Sequence, residues 1–190
     1  MSGRNRVRIV GGEWRSRLVR FPGTPGLRPT PDRVRETLFN WLGQRLDGLA
    51  CVDLFAGSGA LGFEALSRGA ARAVLIERDR ATAEALRAAA LELGAKGAEI
   101  VAGDALAWIA RGGGVGERFD LAFVDPPFAS ELAAQVLAKL PARLNPGARV
   151  YVESAQPLAP GAPWTKLREG RAGAVRFALY EFNQPESIPQ

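Results

Sequence analysis

Residues Cys51–Leu66 read CVDLFAGSGALGFEAL, with glycines at 57, 59 and 62 between an apolar run and a second apolar stretch. Glycines at this spacing give a tight turn and let backbone approach a ligand without an intervening Cβ. They also let a helix lie close on a sheet. The chain must then hold a strand–turn–helix unit, and such units assemble as parallel sheets covered by helices. From Leu49 the pattern repeats. ACVDLF, AVLIE, AEIVAG, FDLAFVD and ARVYVES are strand candidates, separated by helical stretches near 59–68, 79–93, 104–111 and 130–140. After Glu153 the rhythm breaks. WTKLREG and AVRFALYEF read as two strands around Arg171-Ala172-Gly173, which leaves one strand antiparallel in an otherwise parallel sheet.

The N-terminal part follows other rules. VRIVGG and SRLVRF alternate apolar with polar residues around Gly11–Arg15 and predict a short β-hairpin. PGTPGLRP reads as a loop. Thr30 before Pro31 reads as an N-cap with a first-turn proline. Val34, Leu38, Trp41 and Leu42 then predict an amphipathic helix over about 31–46. The predicted organisation is a basic arm over 1–30, an α/β domain over 31–183 and a tail over 184–190.

Composition narrows the chemistry. The chain has no histidine and one cysteine, Cys51. That excludes Ser-His-Asp and Cys-His nucleophilic sites and an internal disulfide, and no metal centre is expected. No apolar run reaches the length of a membrane span, and MSGRNRVRIV has no signal-peptide core. A cytoplasmic monomer is expected. The net charge is +5, but residues 1–35 carry +7 and the remainder −2. An arginine block of this kind favours a phosphate-rich partner; a solvated basic face is the alternative. Arg4, Arg6, Arg8, Arg15, Arg17 and Arg20 alternate with apolar residues on the hairpin and predict one basic face. Arg35 joins them as a candidate nucleic-acid contact.

Three acids fall at consecutive strand ends: Asp53, Glu77 and Asp104. A carboxylate at Glu77 can accept from both hydroxyls of a ribose. An NAD pyrophosphate would lie near the Asp53 carboxylate and be repelled. S-adenosylmethionine brings an ammonium and a sulfonium, which that carboxylate suits. Asp104 can accept from an adenine amino group. Helix capping is the other use of such acids, as expected at Asp79.

FDLAFVDPPF runs from a strand into Asp125-Pro126-Pro127-Phe128. Two prolines remove two backbone donors and leave their carbonyls. Acceptors at Asp125 and Pro126 can bind both N–H groups of an exocyclic amine and aim its lone pair at an electrophilic methyl. Phe128 can stack on the nucleobase. A rigid turn with a capping aspartate is the plainer reading.

DLFAGSGALGFEALSRGA, Glu77, GDAL and DPPF together resemble the Rossmann-like S-adenosylmethionine-dependent methyltransferases that modify amino nitrogens. RIVGGEWRSRLVRFPGTPGLRPTPDRVRETLFNWL, YVES and the C-terminal hairpin narrow the resemblance to the bacterial RsmD type. Those enzymes act on guanine N2 of 16S rRNA, at position 966 in the usual rRNA numbering. The resemblance implies a seven-stranded sheet with the last strand antiparallel, and 16S rRNA of the small subunit or its assembly intermediate as partner. It implies that Asp53 and Phe55, Ala56, Gly57, Ser58 and Gly59 line the methionine and ribose side. Glu77 takes the ribose, Arg78 lies beside the adenine, and Asp104 and Ala105 take its edge. Arg28, Thr30 and Arg35 lie in the segment covering the cofactor's carboxylate end, and Asp125, Pro126 and Phe128 hold the guanine. The chain departs from the family at Gly170-Arg171, where a lysine and an apolar residue are expected. Adenine-N6 methylation of DNA, nucleic-acid binding without catalysis and NAD-dependent oxidoreduction are the rival readings.

Overall fold

The computed structural model describes residues 5–23, 29–112, 117–127 and 131–184. Arg4, Arg28, Phe128 and residues 185–190 lie outside them. The hairpin pairs β1 (Arg6–Arg8) antiparallel with β2 (Leu18–Arg20). The main sheet holds β3 (Ala50–Asp53), β4 (Arg72–Glu77), β5 (Ala98–Ala102), β6 (Phe119–Val124), β7 (Leu144–Ser154), β8 (Trp164–Ala172) and β9 (Val175–Phe182). Their spatial order is β5-β4-β3-β6-β7-β9-β8. β9 runs antiparallel to both neighbours, and the other pairings are parallel. The central strands β3, β4 and β6 are near-continuous apolar runs because both faces are covered.

Helices α1 (Asp32–Leu42), α2 (Ala60–Ser67) and α3 (Arg80–Leu93) lie on one face, where Leu38, Phe63 and Leu86 share a core with Leu75 and Phe123. Helices α4 (Ala105–Ala110) and α5 (Leu132–Lys139) cover the other, with Ile109 and Val136 against Val52 and Val150. The predicted first helix is shorter than 31–46. It ends at Leu42, where Gly43 takes φ 97° and its N–H bonds to the Phe39 carbonyl. Nor does Thr30 cap it. The helix starts behind Pro31 with no side-chain cap, and the Thr30 hydroxyl is used elsewhere.

The N-terminal hairpin is docked rather than free. Val7, Ile9, Trp14, Val19 and Phe21 enter the same core as α1–α3. Glu13 N–H donates to the Ser67 carbonyl at 2.7 Å, and Trp14 N–H to the Ser67 hydroxyl at 2.9 Å. A Cβ at Gly12 would lie 1.9 Å from the Ser67 carbonyl oxygen, so only glycine permits this approach.

Candidate active site

Strand order reverses between β3 and β6, the place where open α/β sheets bind ligands beyond the carboxyl ends of their strands. The glycine turn follows β3 here. Gly57 and Gly59 have φ of 50° and 76°. A Cβ at Gly59 would fall 2.5 Å from Phe63, and one at Gly62 2.7 Å from Leu75. Gly59 therefore serves the turn and Gly62 the seating of α2 on β4. Ala56 and Ser58 are buried, and Phe55 is half-buried against the second core.

Asp53 closes β3. Its side chain is almost wholly buried; Oδ2 accepts the Gly62 N–H at 3.1 Å, while Oδ1 has no hydrogen-bond partner. Burial pushes its carboxyl from 3.8 up to about 7, and the Gly62 and Phe55 N–H groups offset only part of that. An orphaned carboxylate oxygen beside a glycine turn fits a cationic ligand and opposes an anionic one.

Glu77, at the end of β4, accepts the Gly57 N–H at 2.9 Å and the Asp79 N–H at 2.7 Å. It braces the turn from the next strand, which leaves further lone pairs for a hydroxyl. Arg78 is exposed beside it. Asp104 caps α4 through the Ala107 N–H at 2.9 Å, and Ala105 is buried behind it. Asp79 caps α3 through Thr82.

Asp125 and Pro126 follow β6 directly, on the other side of the switch. The Thr30 hydroxyl donates to Asp125 Oδ2 at 3.2 Å. Thr30, predicted on the cofactor, thus stands at the Asp-Pro-Pro corner. Burial first, then the carboxylates of Glu153 and Asp53, hold the Asp125 carboxyl well above its ordinary range. Glu153, near the end of β7, is buried and accepts the Tyr151 hydroxyl at 2.8 Å. Sequence reading missed it, although YVES places an acid near the end of a further strand. Asp53 and Glu153, both buried, and the half-buried Asp125 thus form a row at the ends of β3, β6 and β7, beside Glu77 and Asp104 at the ends of β4 and β5.

The basic residues divide. Register sets Arg6 opposite Arg20, with Val7 and Val19 inward, so Arg6, Arg8 and Arg20 point outward. Arg8 also pairs with Asp32 at 2.8 Å. Arg15 is exposed in the connecting turn. Arg17 instead donates to the Glu92 and Leu93 carbonyls at the end of α3. Arg35 corrects the prediction outright. It is fully buried, paired with Glu64 at 3.1 Å and with Asp32, and its Nε bonds to the Thr30 carbonyl, so RNA cannot reach it. At the departure site, a Cβ on Gly170 would lie 2.5 Å from the Phe177 ring, which packs on Trp41 and Tyr151. A lysine there would displace that ring.

This sheet order, with a glycine turn and an Asp-Pro-Pro corner facing each other across the switch, defines a Rossmann-like methyltransferase fold. Residues 7–181 match the family described as Conserved hypothetical protein 95, and the chain belongs to it. It is 45% identical over 186 residues to "Ribosomal RNA small subunit methyltransferase D" of Escherichia coli (strain K12), covering 95% of this chain and 92% of that one. The protein of the same name from Haemophilus influenzae is 39% identical, with 95% and 96% covered. The solved Escherichia coli structure named yhhF superposes with TM-score 0.84 at 44% identity, covering 94% of this chain and 98% of that one. A Salinibacter ruber RNA methyltransferase in complex with S-adenosyl-L-homocysteine shares the fold, with TM-score 0.65 at 21% identity over 86% and 97% of the chains.

Proposed function

We propose that this protein transfers a methyl group from S-adenosylmethionine to the exocyclic N2 of a guanine in 16S rRNA, guanine 966 in the usual numbering. The observation that carries the reading is the facing pair at the switch. A buried, partnerless carboxylate oxygen on Asp53 lies beside the glycine turn, and an acceptor-rich Asp125-Pro126 corner lies on the adjacent strand. The similarity to small-subunit rRNA methyltransferases supports the RNA substrate over DNA.

S-adenosylmethionine supplies an electrophilic methyl on a sulfonium. Asp53 meets the cationic end of the cofactor, the 55–59 turn passes close to it, and Glu77 receives the ribose. Arg78, Asp104 and Ala105 form the adenine side, and Arg28 lies in the segment assigned to the cofactor's carboxylate end. Asp125 and the Pro126 carbonyl accept the two N–H groups of the amine, and Phe128 stacks on the guanine. Alignment of this kind lowers such a barrier by roughly 7–11 kcal/mol. Arg6, Arg8, Arg15 and Arg20 present charge to RNA phosphates, with the small subunit or its precursor as substrate.

A labelled-methyl assay tests the reading. Label from S-adenosylmethionine should enter 16S rRNA or small subunits and not DNA. Asp125→Ala should abolish most transfer while S-adenosylhomocysteine binds as before. Label in DNA alone, or full turnover by Asp125→Ala, would overturn it.

A further inference from the structure

Glu153 is a buried acid beside the half-buried Asp125, at the corner where the acceptor amine is placed. Val124 of β6 pairs with Val152 of β7, so Asp125 and Glu153 occupy the next rung on adjacent strands and project to the α1 side. The Tyr151 hydroxyl fixes Glu153 Oε1 at 2.8 Å, and the Thr30 hydroxyl reaches Asp125 Oδ2 at 3.2 Å and also interacts with Glu153. Asp53, on the neighbouring strand β3, acts electrostatically on Asp125. From β9, Phe177 stands opposite Glu153, and Arg176 opposite the exposed end at Ser154. Arg35, beneath Thr30, is committed to Asp32 and Glu64.

We propose that Glu153 is a positioning residue: its carboxylate, set beside that of Asp125 and fixed by Tyr151, makes Asp125 the acceptor of the proton that leaves the methylated nitrogen. The inference rests on the amino-nitrogen reading above. The C–N bond forms as the methyl–sulfur bond breaks, with that electron pair left on sulfur. One N–H proton then passes to Asp125. The positive charge of the sulfonium and the negative charge of the carboxylate disappear together, leaving a thioether, an N-methylated base and a neutral carboxyl. In a buried site, this loss of charge favours the step. A like charge next to Asp125 strengthens its hold on the proton, and a hydroxyl donated to Glu153 keeps that neighbour ionised. Burial raises both the Asp125 and the Glu153 carboxyls, in keeping with one proton held between them before the cationic cofactor enters.

Single-turnover methyl transfer, followed against pH with the full-length protein, tests this. Glu153→Gln removes the like charge, so the acid limb of its rate profile should move to lower pH and its plateau should fall. Tyr151→Phe removes the donor to Glu153, which then keeps its proton to higher pH; the doubly ionised pair forms later, so its limb should move to higher pH. A purely structural role would lower the rate alike at every pH, and unmoved limbs in both variants overturn the proposal. Carbon-13 carboxyl titration of the wild-type protein without cofactor provides an arm that needs no variant. One carboxyl of the pair should keep its proton into the neutral range; ionisation of both below about pH 5, as for ordinary carboxyls, also overturns it. Product analysis separates the two ideas. A product other than N2-methylguanine defeats the substrate reading while the carboxyl titration still reports on the pair.

Discussion

Asp53 ties stability to ligand charge at a single residue. Its folded value of about 7 exceeds its ordinary 3.8, so folding favours the protonated form. That contribution is present below pH 3.8 and is lost as pH rises to about 7. Asp53→Asn should therefore gain melting temperature on the wild type as pH rises through this window, measured without cofactor. A constant difference would contradict the assignment. The same variant should bind S-adenosylhomocysteine about 10–100-fold more weakly, matching about 1.5–3 kcal/mol for a hydrogen bond to a charged group. Cofactor binding to the wild type near neutral pH should release protons as Asp53 ionises, which calorimetry in buffers of different ionisation enthalpy would detect. Asp53, Asp125 and the glycines were legible because strand ends, prolines and glycine spacing are local. Glu153 was not: its pairing with Asp125 depends on β6 and β7 being neighbours in register.

At the scale of elements, a buried ion network joins the hairpin, α1 and α2. Glu64 Oε2 accepts the Val10 N–H at 2.8 Å and Arg35, while Oε1 accepts Arg68, whose guanidinium also lies 4.6 Å from the Phe39 ring centroid. Breaking one partner of a buried pair costs about 3–5 kcal/mol. Glu64→Gln should therefore lower the melting temperature by about 6–20 °C in a chain of this size. Melting within 2 °C of wild type would contradict the network's role. Strand–helix alternation made the sheet and the antiparallel last strand readable in advance, since each depends on short-range pattern. Arg35 was misread because its charge was weighed and its place was not. It lies three residues before Leu38 and seven before Leu42, on the apolar stripe of α1, where a guanidinium must find a buried partner. That partner, Glu64, sits on a different helix.

At the scale of the whole molecule, the hairpin buries apolar side chains against the domain and keeps Arg6, Arg8, Arg15 and Arg20 outside. If about four phosphates are met, RNA affinity should fall with salt at a logarithmic slope of roughly −3 to −4, at about 0.7–0.9 per phosphate. Replacing Arg6, Arg15 and Arg20 with alanine should flatten that slope and leave cofactor affinity unchanged. An unchanged slope would remove the hairpin from RNA binding. Arg17 is left out of that set because its contacts with the end of α3 would mix stability into the result. The most direct measurement is the identity of the methylated nucleoside. After reaction with small subunits or their 16S rRNA, complete digestion and mass spectrometry should yield N2-methylguanosine from the wild-type protein and almost none from Asp125→Ala. N6-methyladenine, or no methylated nucleoside from any RNA form offered, would contradict the account.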